Sequence, residues 1–208
     1  MKLRNGFVVV LAAVFVMAAT GAFAQNVLVN PGFESGLSGW TPFGNVYPEG
    51  PAWPFIPNSG NGLVSMFGNW WGVFNVSGMF QEFPASPGDT WEMSSFASFC
   101  SCDPMVGVGA PNNNWVVQKI AWFDASNTEI GGVESTILDA TFAADVWHGS
   151  GTISGVAPAG TVKLQALILY LQPLYDGGAA HIDDVSLVHV QPVKAQSSTW
   201  GQVKALYR

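Results

Sequence analysis

Beyond residue 24 the chain alternates short apolar stretches with clusters of Gly, Pro, Asn and Asp, and no long stretch of the domain keeps a helical period. β-Branched and aromatic residues fill the stretches between turn clusters, which is the signature of strands. Strands are predicted over 26–30, 62–66, 73–83, 89–99, 115–124, 152–156, 162–171 and 180–188. Pro31-Gly32, Ser86-Pro87-Gly88, Ala125-Ser126-Asn127 and Pro158-Ala159-Gly160 provide turns. Within 162–171 the alternation places Leu164, Ala166 and Ile168 on one face and Leu167, Leu169 and Leu171 on the other. A strand apolar on both faces belongs in the middle of a sheet, with something over its outer side. Short strands with regular turns imply an all-β sandwich or barrel.

Two segments break this pattern. Residues 1–24 open with Lys2 and Arg4, continue through an apolar run to Ala19, and end in Ala22-Phe23-Ala24. That is the form of a secretory signal peptide, so secretion to the cell surface, periplasm or medium is expected, with Gln25 as the first mature residue. The run is short for a membrane span and no comparable run follows it, so no span is expected after cleavage. At the other end, 191–197 reads as a linker and 198–208 as a short amphipathic helix. Ser198 or Thr199 would cap it, and Trp200, Val203, Leu206 and Tyr207 would share one face. So short a helix is marginal alone, so docking on its own sandwich or on a protein partner is expected. Between these ends, 25–190 has the length of one domain.

Charge narrows the partners. The full chain carries −7, and loss of Lys2 and Arg4 with the leader takes the mature chain to about −9. Such an acidic surface is a poor binder of polyanions, which excludes nucleic acid as an expected partner. Neutral glycans, or glycans bridged by a cation, remain compatible. Only 10% of residues are charged while aromatics are abundant, which argues against disorder.

The two ends of the domain carry a resemblance. Asn26-Val27-Leu28-Val29-Asn30-Pro31-Gly32-Phe33-Glu34 and His181-Ile182-Asp183-Asp184-Val185-Ser186-Leu187-Val188 resemble the first and last strands of the galactose-binding-like jelly roll, as used by many carbohydrate-binding modules. Gly88-Asp89-Thr90-Trp91, Ala121-Trp122-Phe123-Asp124 and Ala157-Pro158-Ala159-Gly160-Thr161 resemble internal motifs of the same family, in the same order. The resemblance implies a two-sheet antiparallel jelly-roll sandwich with Trp40, Trp91 and Trp122 in its core. It also implies a structural Ca²⁺ joining the first and last strands. Glu34 and Asp183 are then the candidate ligands, with Asp184 as the other possibility and the Gly32 carbonyl completing the shell. Calcium takes several hard oxygen donors, so this set suits it. Adjacent Asp183 and Asp184 on a strand are expected to point to opposite faces, so that only one ligates.

The function implied is glycan binding without catalysis. Sugars pack C–H groups on flat aromatic faces, and amides or acids take their hydroxyls. The candidates are Trp70 and Trp71, expected on a strand with one facing the core and one outward. Trp115 and Trp53 are loop-borne aromatics, and Gln118 and Tyr170 could add hydrogen bonds from a sheet face. Against this, Trp is usually a core residue. The rival reading is a structural or adhesive surface protein assembling through its tail or edge strands. Catalysis finds little support: neither a Gly-x-Ser-x-Gly elbow nor a His-Glu-x-x-His helix is present. Glu129, Glu134, Asp139 and Asp145 sit among turn-forming residues rather than as an obvious acid pair. Cys100 and Cys102 are either a local disulfide, natural in an oxidising compartment, or a reactive or metal-binding thiol pair.

Overall fold

The computed structural model describes residues 25–52, 56–105 and 113–190. The expected leader, Trp53 and the C-terminal tail with its proposed helix therefore lie outside the described residues. The strands are β1 (Thr41–Phe43), β2 (Asn45–Glu49), β3 (Leu63–Phe67), β4 (Asn75–Pro84), β5 (Thr90–Ser98) and β6 (Trp115–Phe123). They continue as β7 (Glu129–Asp139), β8 (His148–Gly149), β9 (Ile153–Val156), β10 (Lys163–Gln172) and β11 (Ala180–Val190).

Two antiparallel sheets face each other, the two-layered all-β sandwich expected. One has the order β1-β4-β10-β6-β7; the other has β2-β3-β11-β5-β8, with β9 also paired to β5. β10 is central, as its two-faced apolar pattern required. Its inner residues Leu164, Ala166, Ile168 and Tyr170 are fully buried. Its outer residues Leu167, Leu169 and Leu171 are half-buried beside Phe80, Val117 and Val76, their cross-strand neighbours. The core between the sheets is built from Val64, Met66, Met79, Met93, Ile120, Trp122, Ile182 and Leu187, and Trp40 and Trp91 join it.

The two ends of the domain lie side by side. Asn26 pairs with Val188, the Val27 amide donates to the Leu187 carbonyl at 2.9 Å, and the Asn26 side-chain amide donates to the Val185 carbonyl at 2.9 Å. The 26–30 segment makes only this isolated bridge and then turns, rather than forming a full strand. Cys100 and Cys102 are joined in a disulfide.

Three strand placements differ from expectation. β1 and β2 form edges that sequence alternation did not announce, since both are short and carry a proline. β7 takes in Glu129, Glu134 and Asp139, which were expected in turns, and it pairs with β6 along its whole length. Trp70 and Trp71 lie in the β3–β4 loop rather than on a strand.

Candidate functional site

The turn-rich end of the sandwich gathers the loops β3–β4, β10–β11 and the segment entering β6. In the first, Trp70 adopts φ 51° and Gly72 φ 70°. These left-handed positions fold the loop back, so adjacent tryptophans no longer alternate across a strand. Both are open to solvent, Trp71 at 70% and Trp70 at 44%. Trp70 stacks on Phe67 at 5.3 Å, and Phe67 stacks on Tyr47 at 5.4 Å, so the indole is braced from behind. The Trp70 amide donates to Gln172 Oε1 at 2.7 Å, and Asn75 Nδ2 donates to the same oxygen at 3.0 Å. The loop is thus tied to the end of β10.

The β10–β11 loop contributes Leu174 and Tyr175, both exposed. The Tyr175 ring occupies the space a Cβ on Gly72 would need, so the two loops touch. Phe74 is exposed and its ring lies 6.5 Å from that of Trp115, which is half-buried at the start of β6. Trp115 also borders a cavity of about 350 Å³ lined by Asn113, Thr136, Asp139 and Thr141. Trp71, Trp70, Tyr175, Phe74 and Trp115 therefore form an apolar and aromatic surface, with amide, hydroxyl and carboxylate groups at one margin. Large contiguous exposed apolar patches are rare on folded surfaces and are where interaction sites are found. Sequence reading missed Tyr175. The signal for Tyr175 was an aromatic inside Pro173-Leu174-Tyr175-Asp176-Gly177-Gly178, a loop by composition.

Two expected contributors belong to the interior instead. Tyr170 is fully buried: its hydroxyl donates to the Gly178 carbonyl at 2.6 Å and accepts from Asn114 Nδ2 at 2.8 Å. Burial pushes its phenol above the ordinary value. Gln118 is also fully buried and links the sheets. Its Oε1 accepts from Ser95 Oγ at 3.1 Å and Ser150 Oγ at 2.9 Å, and its Nε2 donates to Ser135 and to the Gly151 carbonyl. Both residues face the core because strand alternation puts them beside Ile168, whose cross-strand partner is Gln118. Neither can reach a ligand on the outer sheet face.

The expected metal ligands come together. Oδ1 of Asp184, Oδ1 of Asp183 and Oε1 of Glu34 lie 3.4, 3.7 and 4.0 Å from the position of a Cβ on Gly32. The expectation that Asp183 and Asp184 diverge is corrected. The β11–β5 register breaks between Asp183 and Ser186, and Asp184 sits at φ 47°, so a bulge turns both carboxylates to one side. Both reach the same neighbours: Asp183 Oδ2 accepts from the Asn58 and Ser59 amides at 2.9 and 3.1 Å, and Asp184 accepts from the Asn58 side-chain amide and Ser59 Oγ at 2.7 Å each. Glu34 accepts from the Asn61 and Gly62 amides. Burial pushes the Asp183 carboxyl up to about 6.

The chemistry of this donor set fits a hard cation: three carboxylates, none ion-paired among the described residues. The same oxygens now hold amide and hydroxyl donors, and no three acidic, His or Cys side chains among the described residues are grouped tightly enough to chelate as they stand. A bound ion would have to take over some of those hydrogen bonds.

The remaining carboxylates have other partners. Lys119 lies 2.7 Å from Glu129 and 3.9 Å from Glu134, and Asp139 accepts from Thr141 Oγ1 at 2.6 Å.

No family model and no curated protein matches the chain. Solved structures do. The carbohydrate-binding module TmCBM61, in complex with β-1,4-galactotriose, aligns with a TM-score of 0.52 and 19% identity over 80% of this chain and 100% of its own. The CBM22-1–CBM22-2 tandem of Xyn10C from Paenibacillus barcinonensis aligns with 0.51 and 15% identity, over 89% of this chain and 51% of its own. An arabinose-bound MgGH51 α-L-arabinofuranosidase aligns with 0.53 and 12% identity, over 79% of this chain and 26% of its own. The chain has the jelly-roll fold of carbohydrate-binding modules. At these identities the likeness concerns the fold, and the same fold serves many tasks.

Proposed function

We propose that this is a secreted, non-catalytic glycan-binding protein that takes a neutral polysaccharide on the aromatic surface at the loop end. The observation that carries this reading is Trp71, a large flat ring left 70% exposed beside Trp70, Phe74 and Tyr175, in a fold shared with modules whose ligands are sugars. Free solvation of so many aromatics is unfavourable, and a sugar's C–H face would cover them. Asn113, Thr136 and Asp139 beside Trp115 supply donors and acceptors for hydroxyls. Among the described residues no lysine or arginine lines that margin, so a neutral sugar suits it better than an acidic one. A structural Ca²⁺ at Glu34, Asp183 and Asp184 belongs to the same proposal. When bound it would supply the counter-charge these acids lack and clamp the first turn to β11.

The test is retention of the protein in gels containing β-1,4-galactan or xylan, comparing wild type with Trp71→Ala and Trp115→Ala. Retention lost in the variants supports the reading; equal migration of all three with and without every polysaccharide refutes it.

A second reading has one specific observation in its favour. Val73 and Leu174 are exposed aliphatics within the same surface, and these suit a protein face more than a sugar. An adhesive surface protein would use that patch for a neighbour. Concentration-dependent assembly that Leu174→Ser abolishes, without any polysaccharide retention, would favour it.

A further inference from the structure

A second cavity, sharing no lining residue with the one beside Trp115, opens on the outer side of the other sheet. It measures about 430 Å³ and is lined by Ile56, Ser98, Phe99, Cys100, Ser101, Asp145, Trp147 and His181. That volume falls within the range of about 300–1,000 Å³ usual for small-molecule sites. Its residues form a floor and a rim. Ser98, Phe99, Cys100 and His181 are buried, whereas Ile56, Ser101 and Asp145 are exposed. The cavity thus has depth, unlike the open loop-end surface.

Its groups are fixed before any ligand arrives. Trp147 Nε1 donates to the Ile56 carbonyl at 3.0 Å, which orients the indole and leaves its faces for packing. Asp145 sits at φ 60°, and its Oδ1 accepts from the Ser101 amide at 2.9 Å. The Asp145 amide donates to the Phe99 carbonyl at 2.8 Å, so the 99–102 loop and Asp145 hold each other. The Cys100–Cys102 disulfide restrains the same loop. The hydrogen bonds from Ser101 keep the Asp145 carboxyl below its ordinary range. The cavity therefore presents one carboxylate, an imidazole, serine hydroxyls and an indole. Among the described residues, no Lys or Arg lines it.

We propose that this cavity is a second sugar site, which takes a single neutral monosaccharide unit such as the end of a glycan chain. This rests on the glycan reading of the protein. An oriented indole packs the C–H face of a pyranose, while a fixed carboxylate and serine hydroxyls take its hydroxyls. The Asp145 carboxylate, with no lining cation among the described residues, disfavours uronic, sialic or phosphorylated sugars. Depth favours a chain end over a chain middle, so the two sites divide the work: the loop-end surface holds the run of a polysaccharide and this cavity holds a terminus.

The experiment titrates the full mature chain with galactose, xylose, glucosamine and glucuronate, following the tryptophan indole N–H resonances by NMR. Galactose or xylose should move the Trp147 indole signal, with glucuronate silent. Trp147→Phe keeps a ring face and should hold affinity within a few-fold, whereas Trp147→Ala and Asp145→Asn should lose tenfold or more. Asp145→Asn tolerates the positive φ, and unchanged unfolding would show that it still folds. Trp71→Ala should leave monosaccharide binding at Trp147 intact while weakening polysaccharide retention tenfold or more. The proposal is overturned if no sugar at millimolar concentration moves Trp147, if shifts are confined to Trp70 and Trp71, or if only glucosamine binds, which would make this an ammonium site. Loss of polysaccharide retention in Trp71→Ala with a silent Trp147 would sink this site alone and leave the loop-end surface standing.

Discussion

Replacing His181 should flatten the acid limb of the stability profile. His181 is buried on β11, its Nδ1 lies 3.0 Å from Ser65 Oγ, and burial lowers its pKa from 6.5 to about 4. Between those values the unfolded imidazole takes a proton that the folded one refuses. The stability it permits is complete above pH 6.5 and is lost as pH falls toward 4. The full gap corresponds to at most about 3 kcal/mol, and about 2 kcal/mol of it should appear between pH 7 and about pH 4.5. Asp183, two residues along the same strand, works the other way. Its raised carboxyl lets the folded state keep a proton the unfolded state has lost, so its contribution is complete below 3.8 and disappears as pH rises through about 6. The two slopes oppose each other, which makes the wild-type profile alone uninformative. The assay is therefore urea unfolding, followed by tryptophan fluorescence in a calcium chelator, for wild type and His181→Asn at both pH values. On going to acid, wild type should lose about 2 kcal/mol more than the variant. Equal losses would refute the assignment of a neutral, desolvated imidazole.

The other predictions concern the calcium junction and the interior. About 1 mM Ca²⁺ should raise the unfolding midpoint, by up to about 2.7 kcal/mol if it binds near 10 μM, and Glu34→Gln with Asp183→Asn should abolish that increment in calorimetry. Gly62→Ala should destabilise by about 1–3 kcal/mol, because its Cβ would meet the Phe33 carbonyl and force the Glu34 turn to move; an unchanged midpoint would contradict the packing described. Tyr170→Phe should lose about 1–3 kcal/mol in urea unfolding, since the buried Gly178 carbonyl loses its donor, while polysaccharide retention stays as in wild type.

Much of the fold was legible because strand alternation and turn composition agree along most of the chain. The two-faced pattern of 162–171 placed β10 at the centre of its sheet, and the Asn26 and Val188 segments do meet. What failed to show was local. β7 hides behind Gly131-Gly132 and its carboxylates, although it is a long edge strand. Alternation was also misapplied twice at single positions. The parity that buries Leu164, Ala166 and Ile168 buries Tyr170 too, so its inward position could have been read directly. Conversely, positive φ at Trp70 and Asp184 breaks the alternation where two like residues are adjacent, and nothing in those residue types announces it. The tryptophan surface was half visible: Trp70, Trp71 and Trp115 were nameable from sequence, but Tyr175 needed the meeting of two loops.

Affinity electrophoresis in β-1,4-galactan and xylan asks whether the exposed tryptophan surface binds sugar. Covering about 100 Å² of indole would contribute at most about 2.5 kcal/mol, so Trp71→Ala should weaken retention on at least one of these polysaccharides by tenfold or more with an unchanged unfolding curve. Wild-type and Trp71→Ala proteins that bind equally well, or that both ignore every polysaccharide tried, would contradict it.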